Sequence, residues 1–278
     1  VMSNLGSMVK PTHPGHAAAC GIYAARFAEA GIESSPDALE HAQGWLAALS
    51  PAGEVDRDAP PKLGETWQLE RQGLSIKQYP VCYRAHRAID AMLGILREHP
   101  VAPGEVAEMR VSFSNSHLVI LKNHKPANAI AAKFSIEFAL ACALLMKRVG
   151  LTDLTDKFVR SAPVQNLIGK VGIDVNPVEE AGTSGYAPFD TVQLKLTDGR
   201  VLKSAEVRFA KGDPQAPLSS DELWVKFDDC FRWSGAKLDA GKLFAQLSAL
   251  DKLSSVNDLY RARAPAPVSY THLTLPTI

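Results

Sequence analysis

Thr191-Val192-Gln193-Leu194-Lys195-Leu196-Thr197-Asp198-Gly199-Arg200-Val201-Leu202-Lys203-Ser204-Ala205-Glu206-Val207 decides the fold class of this chain. Apolar and polar residues alternate on both sides of Asp198-Gly199, which is the pattern of strands with one buried face. The Asp-Gly pair tolerates the positive φ of a tight reversal, so residues 191–196 and 201–207 read as a β-hairpin. Val106, Met109, Val111 and Phe113 sit among small and polar residues and predict a further strand over 106–113. The middle of the chain therefore holds a sheet.

Helical patterns surround and interleave with these strands. Residues 82–97 read as a helix that stops ahead of Pro100, 131–148 as a strongly apolar helix ended by Gly150, and 153–159 as a shorter one. Toward the N-terminus, 17–30 is alanine-rich with Ile22 and Phe27 on one face and Gly31 as its stop, a helix built for burial. Ser35-Pro36-Asp37 reads as the start of another, serine as N-cap and proline in the first turn. The prolines and charges of 50–63 predict a loop. Ser219 or Ser220 caps a helix to about Phe231, and others follow near 240–250 and 256–262.

Helices, then a mixed block, then helices describe a mainly α chain with an α+β part. The economical arrangement is a helical domain (1–75 and 215–263) interrupted by a smaller α+β lid domain (76–214). The last residues, 264–278, follow an Ala-Pro-Ala-Pro run and resemble translated adaptor sequence, so this tail is set aside as non-native-looking.

Bulk properties exclude several classes. The 278 residues suit roughly two domains, and an apolar fraction of 46% with 22% charged residues is that of a globular protein. Thirty basic and thirty acidic residues cancel, and no basic run with interleaved aromatics favours nucleic acid. The longest apolar run, Phe138 to Met146, is far short of the ~20 residues of a membrane span. No secretory signal is visible, and Cys20, Cys82, Cys142 and Cys230 form no CxxC pair, which fits a reduced, cytoplasmic protein. His13 and His16 have no partner ligands at metal-binding spacing, so no metal is expected.

Two stretches carry chemistry: Lys10-Pro11-Thr12-His13-Pro14-Gly15-His16 and Lys77-Gln78-Tyr79-Pro80-Val81-Cys82. Each sets a lysine beside prolines ahead of a helix. Proline fixes its own φ and biases its predecessor away from helix, so each ammonium stands on a defined turn. Two positioned cations suit a substrate with several carboxylates.

Taken with Gly44-Trp45-Leu46, Leu63-Gly64-Glu65-Thr66-Trp67, the run through His86 to Ile89-Asp90-Ala91, Ala132-Lys133-Phe134-Ser135-Ile136-Glu137-Phe138 and Pro217-Leu218-Ser219-Ser220-Asp221-Glu222-Leu223, these stretches resemble the MmgE/PrpD family in order from about Met8 to about Leu259. The resemblance implies a helical domain interrupted by an α+β lid with the active site in the cleft between them, a homodimer when full length, and neither metal nor cofactor. It includes 2-methylcitrate dehydratase, cis-aconitate decarboxylase and an iminodisuccinate epimerase, reactions that share a carbanion-like centre beside a carboxylate. Such chemistry needs fixed positive charge at the carboxylates and an acid or base at carbon.

The resemblance implies that Lys10 and Lys77 line the cleft, one from each domain, as catalytic and substrate-binding groups. Cys82 falls where the decarboxylase branch carries a catalytic histidine, which turns the expectation from decarboxylation toward another proton donor. On one helix Cys82, His86 and Asp90 would share a face, opening a Cys-His-carboxylate relay; the alternative is that Cys82 packs at the helix start while His86 and Asp90 make structural hydrogen bonds. His86 is a candidate substrate contact, and His13 either orients Lys10 or a substrate carboxylate or serves the helix start. Phe138 stands where some members have tyrosine and donates no hydrogen bond.

The expected activity is a cofactor-independent lyase of the dehydratase type acting on a small, methylcitrate-like polycarboxylate. The alternatives are a dicarboxylate isomerase or epimerase, or a non-catalytic paralogue. Family members also carry a helical region ahead of the Lys10 motif that this sequence lacks. The chain is thus expected to be an inactive fragment, with the apolar faces of the helices at 14–30 and after 218 turned to water or to another chain.

Overall fold

The computed structural model describes residues 4, 6–50, 53, 64–65, 67–180, 182, 185–255 and 257–261. The tail over 264–278, and the loop over 50–63 apart from Ser50 and Gly53, lie outside the described residues.

The hairpin forms where the alternation places it. Strand β3 (Thr191–Leu196) pairs antiparallel with β4 (Val201–Lys203), Leu194 opposite Leu202, around Gly199 at φ 91°. Strand β4 is shorter than expected; beyond it only Val207 returns to the sheet margin, bridging Asp190. Strand β1 (Val106–Phe113) lies antiparallel to β3, with a bulge at Val106/Glu108, and parallel to β2 (Val171–Val175). The sheet order is β2-β1-β3-β4. The stretch Val171-Gly172-Ile173-Asp174-Val175 carries a glycine, which weakens its strand signal. Gly172 sits opposite Arg110, whose guanidinium lies 3.3 Å from where a Cβ would stand.

Twelve α-helices are seen among the described residues. Helices α1 (Thr12–Glu29), α2 (Trp45–Leu49) and α3 (Gln68–Gln72) precede α4 (His86–Glu98). Between β1 and β2 come α5 (Asn115–Leu118), α6 (Ala129–Ala132), α7 (Ile136–Met146), α8 (Asp156–Val159) and α9 (Ala162–Ile168). The chain closes with α10 (Ser220–Ser234), α11 (Ala240–Leu247) and α12 (Asn257–Arg261).

Helix α7 is the centre of the molecule, buried without a break from Ile136 to Leu144. It packs between α4 and α9, and α4 in turn covers β3. Met109, Val111 and Phe113 of β1 and Val192, Leu194 and Leu196 of β3 point into this core; Arg110 on the opposite face pairs with Glu108 and Asp174. All buried apolar residues among those described lie between Tyr79 and Ala210.

Two helix readings need correction, while the apolar face of the N-terminal helix meets solvent as expected for this chain. The apolar stretch over 131–148 is two helices, because the Ser135 hydroxyl accepts from the Phe138 amide at 3.1 Å and starts α7 afresh; α7 ends with Lys147 in the left-handed conformation, φ 55°, ahead of Gly150. Ser35-Pro36-Asp37 forms a turn: the Ser35 hydroxyl donates to the Asp37 side chain, a local bond that competes with a helical cap. Helix α1 begins at Thr12 and buries none of its residues, with Ile22, Tyr23 and Phe27 each more than half exposed. Its apolar face therefore meets solvent in this chain. The capped helix near 219 forms as read: Ser219 and Glu222 close a capping box on α10, which Gly235 ends at φ 67°.

Candidate active site at the Lys77 turn

The Lys77 stretch is pinned at both ends by backbone bonds. Ahead of the lysine, the Ile76 amide donates to the Gly212 carbonyl at 2.7 Å. Gly212 has φ 90°, and a Cβ there would fall 1.9 Å from the Ile76 oxygen, so only glycine allows this approach. Beyond the lysine, the Cys82 amide donates to the Lys133 carbonyl at 2.9 Å. Lys133 occupies the break between α6 and α7, and the Ser135 that creates the break belongs to the same run, 132–138. Two stretches about fifty residues apart in sequence are thereby joined.

On this turn Lys77 is exposed and its ammonium donates to the Val81 carbonyl at 3.3 Å. Cys82 is half-buried against the core, in an extended conformation (φ −58°, ψ 133°) ahead of a 3-10 turn over Tyr83–Ala85. It therefore stands outside α4, and the shared helical face with His86 and Asp90 is not formed. Asp90 accepts from the Tyr79 hydroxyl at 2.5 Å and from the Lys211 amide at 2.8 Å, so its carboxylate braces the turn from beneath. Burial raises its pKa; burial and the Asp90 carboxylate likewise push the Tyr79 phenol up. Cys82, His86 and Asp90 therefore assemble no relay among the described residues.

His86 opens α4 and is fully buried between the rings of Tyr79 and Tyr83, at 5.1 and 5.0 Å. Neither ring nitrogen has a hydrogen-bond partner, although the backbone oxygens of Val81 and Tyr79 lie near enough to favour the proton slightly. Burial first, and then the Lys77 charge, bring its pKa down to about 4. The ring is therefore neutral at pH 7 and shielded from solvent.

Phe138 is fully buried and meets Phe158 edge to face at 6.3 Å. Beside it, Glu137 is buried and receives His124 at 2.6 Å and the Ser135 hydroxyl at 3.0 Å.

Lys10 and His13 stand at the start of α1. Lys10 is exposed, with its carbonyl accepting from the His13 amide at 3.3 Å, and His13 faces the Asn4 amide nitrogen at 3.3 Å. No hydrogen bond or ion pair joins either to Lys77, Cys82 or His86 among the described residues. The chain just ahead of Lys10 does reach the same break, since Gly6 abuts Asn123 and Phe134.

A groove of about 890 Å³ runs between α4 and α10 past Gln78 and Tyr79. Lys147, Arg148, Lys211 and Lys226 line it, Lys211 paired with Glu222 at 2.7 Å. Lys147 and Arg148 follow α7 while Lys211 and Lys226 come from elsewhere in the chain, with no common spacing that would have singled them out in the sequence. No described helix is long and apolar enough to cross a membrane.

The model of the MmgE/PrpD C-terminal domain matches residues 79–246, more than half of the chain. The chain belongs to the MmgE/PrpD family. It is also similar to the cis-aconitate decarboxylase of Homo sapiens, 23% identical over 277 residues, covering 96% of this chain and 56% of that protein. The cis-aconitate decarboxylase of Mus musculus is 24% identical over 240 residues, covering 81% and 46%. The chain spans about half the length of the curated relatives it matches.

Proposed function

We propose that this chain forms the Lys77-bearing part of a cofactor-independent lyase of the dehydratase type, acting on a small polycarboxylate such as a methylcitrate-like acid. The observation that carries this reading is Lys77 itself. It is an exposed ammonium on a turn held by the Gly212, Lys133 and Asp90 bonds, with Cys82 at the other end of that turn. A cation fixed in this way costs little reorganisation when a carboxylate arrives or when charge develops beside it. Cys82 is the proton donor on that turn in this reading, since the Tyr79 hydroxyl is committed to Asp90, His86 is sealed away and Phe138 has no proton to give.

Lys10 and His13 supply the second cationic wall in this reading, from the turn ahead of α1. The family membership and the similarity to two decarboxylases support carbon–oxygen or carbon–carbon lyase chemistry. Cys82, in place of a histidine, favours loss of water over loss of carbon dioxide. Removal and return of one α-proton, an epimerisation, needs the same lysine and is the second reading. The test is turnover of a methylcitrate-like acid by the enzyme expressed from its full reading frame, with and without Lys77. Unsaturated product that depends on Lys77 supports the reading, and undiminished turnover without Lys77 refutes it.

A further inference from the structure

We propose that a second, separate pocket at Arg84 binds the carboxylate of a small organic acid. A cavity of about 180 Å³ opens on the far side of the 3-10 turn that follows Cys82, lined by Tyr83, Arg84, Arg87, His117, Tyr186 and Arg208. That space suits a small organic acid. Neither Lys77 nor Cys82 lines it, so the inference stands apart from the lyase reading.

The charges in it are unevenly matched. Arg87 is neutralised by Asp190 at 2.6 Å and tied to the Ala187 carbonyl at 3.2 Å. Arg84 has no ion pair with any described carboxylate. Its guanidinium is held by neutral groups alone: Nη1 at 3.2 Å from His117 Nε2, Nη2 donating to the Tyr186 hydroxyl at 2.9 Å, and the plane 4.8 Å from the Tyr186 ring centre. Those contacts use two of its five N–H groups. Glu180 and Asp213 also border the cavity, but Asp213 already accepts from the Tyr83 hydroxyl and the Gln215 amide. The exposed Arg208 side chain adds a further cation at the rim.

His117 positions Arg84. It is buried, stacked on Phe113 at 5.8 Å. Arginine offers no acceptor, so Nε2 must accept from Arg84, and the proton of the neutral ring stands on Nδ1. That Nδ1–H is buried and has no partner. Burial, then Arg84 and Arg87, hold the ring's pKa down to about 3. A guanidinium without an ion pair, held by a neutral imidazole and a phenol and with N–H groups to spare, is an arrangement completed by an anion with planar acceptors, which a carboxylate provides.

The test is calorimetric titration of the 278-residue chain with succinate and, separately, inorganic phosphate, followed by ¹⁵N resonances of the histidine rings. Succinate is expected to bind, to shift the His117 ring signals, and to bind roughly tenfold or more weakly to Arg84→Gln. Arg208→Gln, which changes only an exposed side chain, is expected to weaken it about threefold. Should Arg84→Gln fail to fold, Arg208→Gln and the His117 signals decide. Absence of succinate binding, unchanged affinity in the arginine variants, unmoved His117 ring signals, or phosphate binding as tightly as succinate would each overturn the assignment.

Discussion

The Cys82 amide donates to the Lys133 carbonyl at 2.9 Å, and this bond ties the thiol-bearing end of the Lys77 turn to the break between α6 and α7. The break exists because Ser135 caps α7, so a serine hydroxyl sets where a distant thiol stands. The chemistry proposed for the turn depends on this coupling of backbone to backbone.

Lys77→Ala is expected to lower turnover of a methylcitrate-like acid by roughly a hundredfold or more, a loss on the order of 3 kcal/mol at the transition state. The melting temperature should barely move, because the side chain is exposed and gives up one bond to the Val81 carbonyl at 3.3 Å. Steady-state kinetics beside a thermal melt check both halves. Near-normal activity removes Lys77 from the site.

Cys82 is half-buried, whereas Cys20 and Cys230 are exposed and Cys142 is buried. If its thiol takes part in proton transfer, it should alkylate with iodoacetamide at least as fast as Cys20, lose that reactivity when a polycarboxylate is bound, and slow turnover when changed to serine. Mass-spectrometric rates at each cysteine give the answer. A fully active Cys82→Ala variant makes the residue a packing group.

Gly212→Ala is expected to destabilise the α+β core by about 2 kcal/mol or more, since it adds left-handed strain to a contact that must open around the Ile76 oxygen. Gly199→Ala, also at positive φ but with open space around it, isolates the strain alone. Denaturant unfolding should show the larger loss at Gly212. Equal losses would mean that the Ile76 approach contributes nothing.

His86 gives a pH dependence with a definite sign. Its pKa lies near 4 in the folded chain, below the 6.5 of an exposed histidine, so between those values the unfolded chain binds the extra proton and stability falls as pH is lowered. The stabilisation is complete above about pH 6.5, and from pH 7.5 to pH 5 the loss is about 2 kcal/mol. His86→Phe keeps an aromatic ring between Tyr79 and Tyr83 and removes the titration. Unfolding free energies of both proteins at the two pH values should differ by that amount; parallel behaviour would show that His86 exchanges protons freely while folded.

Much of the fold was legible because alternation and caps are local signals. Strand β1 spans the residues that its alternation marked, the Asp198-Gly199 hairpin closes, and Ser219 caps α10. What escaped depended on distant partners. Strand β2 needs Gly172 to pass Arg110, which only the paired strand reveals. Helix α1 has an apolar face whose burial no residue of its own can decide. Of the site, Lys77 and Cys82 were visible as one motif, while the neutral, enclosed state of His86 comes from two tyrosine rings and neighbouring charge. The Arg84 pocket joins residues from four separate stretches that share no spacing.

The most direct measurement is the fate of substrate protons and oxygen in deuterated water. A methylcitrate-like acid is incubated with the enzyme from its full reading frame and with its Lys77→Ala variant, and products are read by NMR and mass. The account predicts loss of water to an unsaturated acid in the parent and its near-disappearance in the variant. Deuterium entering the α-position with neither water nor carbon dioxide lost would contradict it and make the protein an epimerase.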